Sequence, residues 1–350
     1  MTDTKGFGRR QVLQLGGAAD LSAMGAGSSI TLALAQDKGP ALNVRIANTA
    51  GNTSMVLQQM LKDKGYFEKF GLKPEILNVS DGNKVTSSIL GGDVDVCMIS
   101  GFSSLLPAIE KGAKMKVLCG AGMVVGQCLY SKKPEIKELK DLVGKTVGIG
   151  AVGALLHEIT VAMMRKHGVD EKQVTFVNVG SSTDVLRAVV AGTVDCGSAE
   201  IDNLASADKL GIHALTNGKA WEQIPEYTWQ AGYTSDDAIA KKRDALVRTL
   251  AAFGSLYRFL VSPDSFDSYK AARASALGSA KDDLAEAQLF WNFVQQKKGY
   301  AYDLVLNKQQ IDYVQDLNVS LGVQQKILPF EQVCDMSIAQ DALKLMAATK

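Results

Sequence analysis

The stretch NVSDGNKVTSSILGGDVDV (residues 78–96) and its counterpart NVGSSTDVLRAVVAGTVDC (residues 178–196) decide the fold of this chain. They lie 100 residues apart and align without a gap. Asn78, Val79, Val85, Gly92, Val94 and Asp95 recur as Asn178, Val179, Val185, Gly192, Val194 and Asp195. Each copy reads as the end of a strand, a loop of small polar residues, a helix, a glycine break and a new strand. In the first copy Val85 and Ile89 fall on one helix face, and Gly91-Gly92 ends the helix. A chain that carries this pattern twice is expected to contain two equivalent units.

The flanking sequence extends both units. Upstream, LNVRIAN alternates apolar residues and stops at TAGNTS. MVLQQMLKDKG then places Val56, Leu57, Met60 and Leu61 at helical spacing, with Gly65 as its stop, and LKPEILNVS is the next strand. After the first copy come the loop GFSS, the helix LLPAIEKG and the strand MKVLCGAG. The pattern restarts after GQCLYSKKPEIKELKDLVG: strand KTVGIG, loop AVG, then a helix with Leu156, Ile159, Met163 and Met164 on one side and Gly168 at its end. VTFVNV, the second copy and GIHALT complete that unit. Short strands alternating with helices predict an α/β protein whose units each hold a mostly parallel sheet flanked by helices. Helical sequence dominates from about Asp236 onward, while YTWQAGYTS before it has period two and reads as a strand returning the chain to the first unit. The predicted organisation is one lobe from residues 36–128 and 226–350, and a second from residues 129–225.

Charge is balanced, at +1 over 350 residues, which argues against electrostatic binding of nucleic acid or anionic lipid. Beyond the N-terminus no apolar run approaches the roughly 20 residues a membrane span needs. The N-terminus itself carries Lys5, Arg9 and Arg10, a Gly/Ala/Leu-rich stretch and Ala33-Leu34-Ala35, a small-x-small cleavage pattern. Arg9-Arg10 followed by Val12-Leu13 resembles a twin-arginine export signal, with Gln14 in place of the usual Lys and Asp20 inside the apolar part. Residues 1–35 are therefore expected to be an export signal cleaved after Ala35. The remainder has 35 basic and 35 acidic residues, a net charge of zero. Of five cysteines, Cys97 and Cys196 lie in apolar strand runs and read as buried hydrophobes; a Cys119–Cys128 bridge is open after export. With no CxxC and no His/Cys ligand spacing, neither a metal nor a cofactor is expected.

In open parallel sheets ligands sit at the carboxyl ends of the strands, where loops meet helix N-termini, so two facing sheets share one cleft. The strand ends nominate Asn48, Thr49, Asn52, Thr53, Ser80, Asp81, Ser100, Gly101, Phe102 and Ser103 in the first unit. In the second they nominate residues 150–153 (Gly150, Ala151, Val152, Gly153), Gly180, Ser181, Ser182 and Glu200. Each has a purely structural reading beside the functional one. Thr53, Ser182 or Thr183 can cap the helix that follows, and Asp81-Gly82-Asn83 can be a turn. Phe102 is either a stacking surface or a core plug, with the ligand reading preferred. Asp95 and Asp195 read as strand-start residues, and His157, His167 and His213 as surface or core.

GGDVDVCMISGFSSLLPAIEKGAKMKVL, then IKELKDLVGKTVGIGAVGALLHEITVAMMRKHGVDEKQVTFVNVGSS, then LRAVVAGTVDCG resemble, in order and spacing, the periplasmic solute-binding proteins of the nitrate/sulfonate/taurine type. Binders of thiamine-pyrimidine precursors belong to the same group. The resemblance runs from about residue 43 to about residue 232 and fades to general helical character beyond. It implies a two-lobed periplasmic-binding-protein fold with a two-strand hinge and a helical C-terminal extension. It also implies a monomer that closes around a small molecule and delivers it to an inner-membrane ABC permease with a cytoplasmic ATPase, without catalysis. Binding loops carried over from the family are residues 49–53, 100–103 and 150–153. Two departures bear on the ligand. GAVGAL has no hydroxyl where sulfonate and nitrate binders often place one, and Glu200 stands where the repeat has Ser100. A carboxylate in a dry cleft needs a partner, which a ligand amine or ring N–H, a protein cation or solvent could supply. The rival reading is an enzyme on the same architecture. A desulfinase would need a Cys in NTAGNTS, and a pyrimidine synthase an active-site His and a Cys-rich iron motif, none of which the sequence displays.

Overall fold

The computed structural model describes residues 40–278 and 284–349; the expected export signal lies outside the described residues. The first unit runs β1 (Leu42–Thr49), α1 (Asn52–Asp63), α2 (Tyr66–Lys69), β2 (Leu72–Val79), α3 (Gly82–Leu90), β3 (Val96–Ser100), α4 (Leu105–Glu110) and β4 (Met115–Gly120). The second runs β5 (Gln127–Ser131), β6 (Thr146–Ile149), α5 (Leu155–Lys166), β7 (Thr175–Asn178), α6 (Ser182–Ala191), β8 (Cys196–Glu200), β9 (His213–Lys219) and α7 (Ala220–Gln223). After β10 (Ala231–Ser235) the chain is helical: α8 (Asp236–Leu260), α9 (Phe266–Leu277), α10 (Leu284–Lys297), α11 (Lys308–Ser320), α12 (Phe330–Val333) and α13 (Ser337–Ala348).

The strands form two five-stranded sheets, ordered β2-β1-β3-β10-β4 and β7-β6-β8-β5-β9. Position for position the orders match, β1 with β6, β2 with β7, β3 with β8 and β4 with β9. In each sheet the fourth strand is antiparallel to its neighbours and comes from the other side of the chain. β5 leaves β4 to enter the second sheet, and β10 returns from the second unit to lie between β3 and β4. The units are thus joined by two exchanged strands, which gives the two-lobed α/β architecture expected from the sequence.

The repeat falls on equivalent scaffold. β3 and β8 span residues 96–100 and 196–200, and α3 and α6 open at Gly82 and Ser182, so the 100-residue offset survives in space. Gly92 and Gly192 take φ of +77° and +76° just past those helices, a left-handed turn that only glycine makes without strain. Asp95 accepts hydrogen bonds from the Arg45 backbone N–H at 2.8 Å and its guanidinium at 2.9 Å, and from Lys242 at 2.9 Å. Asp195 likewise accepts from Thr146 N–H at 2.8 Å and Thr146 Oγ1 at 2.9 Å, with Lys133 beside it. Each aspartate ties the start of one strand to its parallel neighbour, β3 to β1 and β8 to β6.

One core packs Val56, Leu57 and Leu61 of α1 against Leu250, Phe253 and Tyr257 of α8 and Tyr269 and Phe290 of the later helices. A second runs through Val85, Val147, Ile149, Val185 and Trp229 and joins the two sheets. All five cysteines are free and buried. The Cys119–Cys128 bridge left open by the sequence is not formed, because Cys119 sits on β4 of one sheet and Cys128 on β5 of the other. Among the described residues no single helix is long and apolar enough to cross a membrane.

Candidate ligand-binding site

Where the strand ends of the two sheets meet lies a cavity of about 60 Å³. Four helices bring their N-termini to it: α1 through Gly51 and Thr53, α3 through Asp81 and Gly82, α5 through Ala154, Leu155 and Leu156, and α6 through Ser181 and Ser182. Each helix start leaves backbone N–H groups that need acceptors. α3 and α6 are capped locally. Asp81 Oδ1 accepts from Lys84 N–H at 3.1 Å, and Ser181 forms a reciprocal capping box with Asp184. The residue before α5 is Ala154, which has no capping side chain.

The start of α1 is capped from the opposite sheet. Gly51 offers no side chain, and Glu200, at the end of β8, fills the role. Its Oε2 accepts from Thr53 N–H at 3.1 Å and Thr53 Oγ1 at 2.8 Å, and its Oε1 accepts from Ser182 Oγ at 3.2 Å. An anion at a helix N-terminus gains both hydrogen bonds and the favourable end of the helix dipole. Burial nevertheless pushes the Glu200 carboxyl up to about 7; nearby Asp202 adds to the rise, while Thr53 and Arg273 pull against it. Behind Glu200, Arg273 of α9 donates to Asp202 at 2.7 Å and also to Glu286, with Arg273 and Asp202 each only 1% exposed.

Of the residues nominated from the sequence, Thr49, Thr53, Asp81, Gly101, Ser181 and Glu200 line this cavity, with Ser80, Gly150, Gly180 and Ser182. The others are elsewhere. Asn48 is fully buried, its Oδ1 accepting from Met98 N–H at 3.1 Å and Ile99 N–H at 2.8 Å, so it pins β1 to β3. Ser100 Oγ accepts from Thr49 N–H at 2.8 Å and holds the loop behind the lining. Ser103 is buried off the cavity, its carbonyl accepting from Asn318 at 2.9 Å. Phe102, preferred as a ligand contact, is instead a core plug, 1% exposed and in the buried cluster that includes Val85 and Leu105. Ala151, Val152 and Gly153 do not line the cavity, and Val152 is 66% exposed. Asn52 starts α1 but faces away from the lining. Thr53 does not cap its own helix; its hydroxyl donates to Glu200. The cap of α6 is Ser181, one residue earlier than expected, which frees Ser182 for Glu200.

Sequence reasoning missed Ser54, Ser104, Gln127, Leu155, Leu156, Trp229 and Gln230 in the lining. Gln127 opens β5 and Trp229-Gln230 precede β10, so three of these sit where the chain crosses between sheets. Gln230 is 5% exposed and its Oε1 has no partner. The three histidines are structural: His157 accepts from Gly153 N–H at 3.2 Å, His167 meets Gln223 at 2.8 Å, and His213 meets the Ile136 carbonyl at 2.8 Å. Among the described residues no group of His, Cys, Asp and Glu has the arrangement of a metal site. The lining can therefore donate through hydroxyls and helix N–H groups and accept through two carboxyls and the amides.

The family described as NMT1/THI5 like matches over residues 54–264. YtlA, a binding protein of Bacillus subtilis (strain 168), is 20% identical over 317 residues, 88% of this chain and 92% of that protein. A 4-amino-5-hydroxymethyl-2-methylpyrimidine phosphate synthase of Aspergillus parasiticus is 28% identical over 145 residues, 39% of this chain and 40% of that enzyme. Among solved structures, the alkanesulfonate-binding protein SsuA from Xanthomonas axonopodis pv. citri, bound to MOPS, has a TM-score of 0.68 at 15% identity. That likeness covers 84% of this chain and 99% of that one, and it extends to the periplasmic-binding-protein fold. With the family match spanning more than half of its length, the chain belongs to the NMT1/THI5-like family.

Proposed function

We propose that this protein is the substrate-binding component of an ABC importer. It is exported to the periplasm with residues 1–35 removed. As a monomer it captures a small organic solute of sulfonate- or taurine-like, amine-bearing or heterocyclic type. The moving bodies are residues 36–128 with 226–350, and residues 129–225, closing about the exchanged strands, which is a recognised hinge motion. The closed, loaded form then docks on an inner-membrane permease driven by a cytoplasmic ATPase. The observation that carries this reading is the hydrogen bonding of Glu200, on the second sheet, to Thr53, on the first, at the cavity between them. A contact of that kind exists only when the two lobes are together, so it favours the closed arrangement.

The test is native mass spectrometry of the full chain purified without refolding, to find a copurified small molecule. A thermal-shift titration with that molecule follows. A specific ligand raises the melting temperature with concentration. Chemical conversion of the bound molecule would overturn the importer reading.

A further inference from the structure

Charge in the cavity is one-sided. Its described lining contains two carboxyl groups, Asp81 and Glu200, and no lysine, arginine or histidine. The Lys84 ammonium donates to Ser80 Oγ at 2.8 Å but is outside the lining. Behind Glu200, Asp202 and Glu286 share the single Arg273, so the surroundings add negative rather than positive potential. Tyr130 donates its hydroxyl to the Glu200 backbone carbonyl at 3.0 Å and so adds no hydrogen bond to the carboxylate.

The seat that an oxyanion would use at the start of α1 is already taken by the protein. Thr53 N–H and Oγ1 are both spent on Glu200 Oε2. Glu200 Oε1 accepts only the 3.2 Å bond from Ser182, which leaves it acceptor capacity toward the cavity. A separate observation agrees. Gln230 Oε1 is buried in the lining without a donor, and a buried acceptor left unmade costs about 1–3 kcal/mol.

We propose that the cavity takes a small ligand presenting a positively charged or N–H-donating nitrogen to Asp81, Glu200 and Gln230, rather than a free oxyanion. The inference rests on the binding-protein reading and names the chemistry of its ligand. Such a nitrogen fills the donor position that the protein leaves empty and, where charged, offsets part of the negative charge of Asp81 and Glu200. An incoming oxyanion must instead displace Glu200 from α1 or take the uncapped start of α5, in either case against like charge.

Isothermal titration of the full chain against matched pairs tests this: taurine against 2-hydroxyethanesulfonate, propylamine against propanesulfonate, and benzylamine against benzyl alcohol. The expected result is at least about tenfold tighter binding of the nitrogen-bearing member in one pair or more, lost by about tenfold in Glu200→Gln or in Asp81→Asn. Both changes keep an oxygen acceptor at the helix start, and a melting curve confirms that each variant folds. The direction of pH dependence is a second readout. A cation competes with the proton on Glu200, so its affinity falls by up to about tenfold per unit as the pH drops below about 7. An oxyanion that must displace Glu200 gives the opposite slope. The proposal is overturned if no nitrogen-bearing member outperforms its counterpart, if affinity rises with acid, or if neither variant weakens binding. Tight oxyanion binding without chemical change overturns this inference alone, whereas conversion of a bound compound overturns the importer reading beneath it.

Discussion

Glu158 of α5 offers the sharpest quantitative test of this structure. Its side chain is fully buried; Oε2 accepts from Tyr227 OH at 2.9 Å, and Oε1 has no partner. A neutral carboxyl tolerates an unpaired oxygen far better than a carboxylate does, and burial pushes this group from 4.5 up to about 8. The folded protein therefore holds the proton more tightly than the unfolded chain. Below the ordinary value of 4.5 the group is protonated in both states and contributes no pH dependence. Between pH 4.5 and 8 the unfolded chain releases the proton and the folded one keeps it, so stability falls as pH rises. Each unit is worth 1.36 kcal/mol, giving about 3 kcal/mol by pH 6.5 and about 5 kcal/mol above pH 8. Glu158→Gln cannot ionise and still accepts from Tyr227. The variant should match the parent within about 1 kcal/mol at pH 4.5 and exceed it by about 3–5 kcal/mol at pH 8.5. Urea unfolding of both proteins at pH 4.5, 6.5 and 8.5, followed by tryptophan fluorescence, measures the difference, in which every other titrating group cancels. A gap that does not widen with pH, or a variant less stable at pH 8.5, refutes the reasoning.

Two further outcomes follow from buried contacts. Arg273→Met removes the cation between Asp202 and Glu286, and stranding a buried charge in this way costs about 3–5 kcal/mol in urea unfolding. Adding Asp202→Leu should recover much of that loss, and a single variant as stable as the parent would contradict the pairing. Gly101→Ala puts a Cβ 2.8 Å from the Leu155 side chain across the cavity, so the two lobes can no longer close fully. Ligand affinity by titration calorimetry should drop about tenfold with the melting temperature nearly unchanged; unchanged affinity refutes a close approach there.

What the sequence reveals follows the range of the interactions. The repeat fixes equivalent elements because helix periodicity, glycine stops and strand starts are local, and Gly92 and Gly192 do occupy the same left-handed turn. The scaffold role of Asp95 and Asp195 is legible from their place at a strand start, although the bonds that carry it reach 50 and 49 residues back to β1 and β6. The partner of Glu200 is not legible: Thr53 lies 147 residues away in the chain, on another sheet. Phe102 is misassigned because β3 is buried on both faces, so alternation gives no clue to which way the ring after it turns. The cap of α6 slips by one residue because Ser181, Ser182 and Thr183 all carry capping hydroxyls, and only backbone geometry chooses among them. Gln127, Trp229 and Gln230 escape notice because the strand exchange that brings them to the cavity is a non-local pairing without a sequence signature.

That exchange also governs how the molecule can be assembled from its N-terminus. β10 is made after the whole second unit, yet it is the strand that joins β4 to β3. A nascent chain halted anywhere before Ala231 has therefore lost the middle of its first sheet, with β3 and β4 each presenting an unsatisfied edge of the sort that pairs with neighbouring chains. The second sheet meets no such delay, since β5 precedes all the strands it joins. Synthesis thus favours completing the later lobe before the earlier one, and until β10 emerges the first sheet needs protection from intermolecular strand addition.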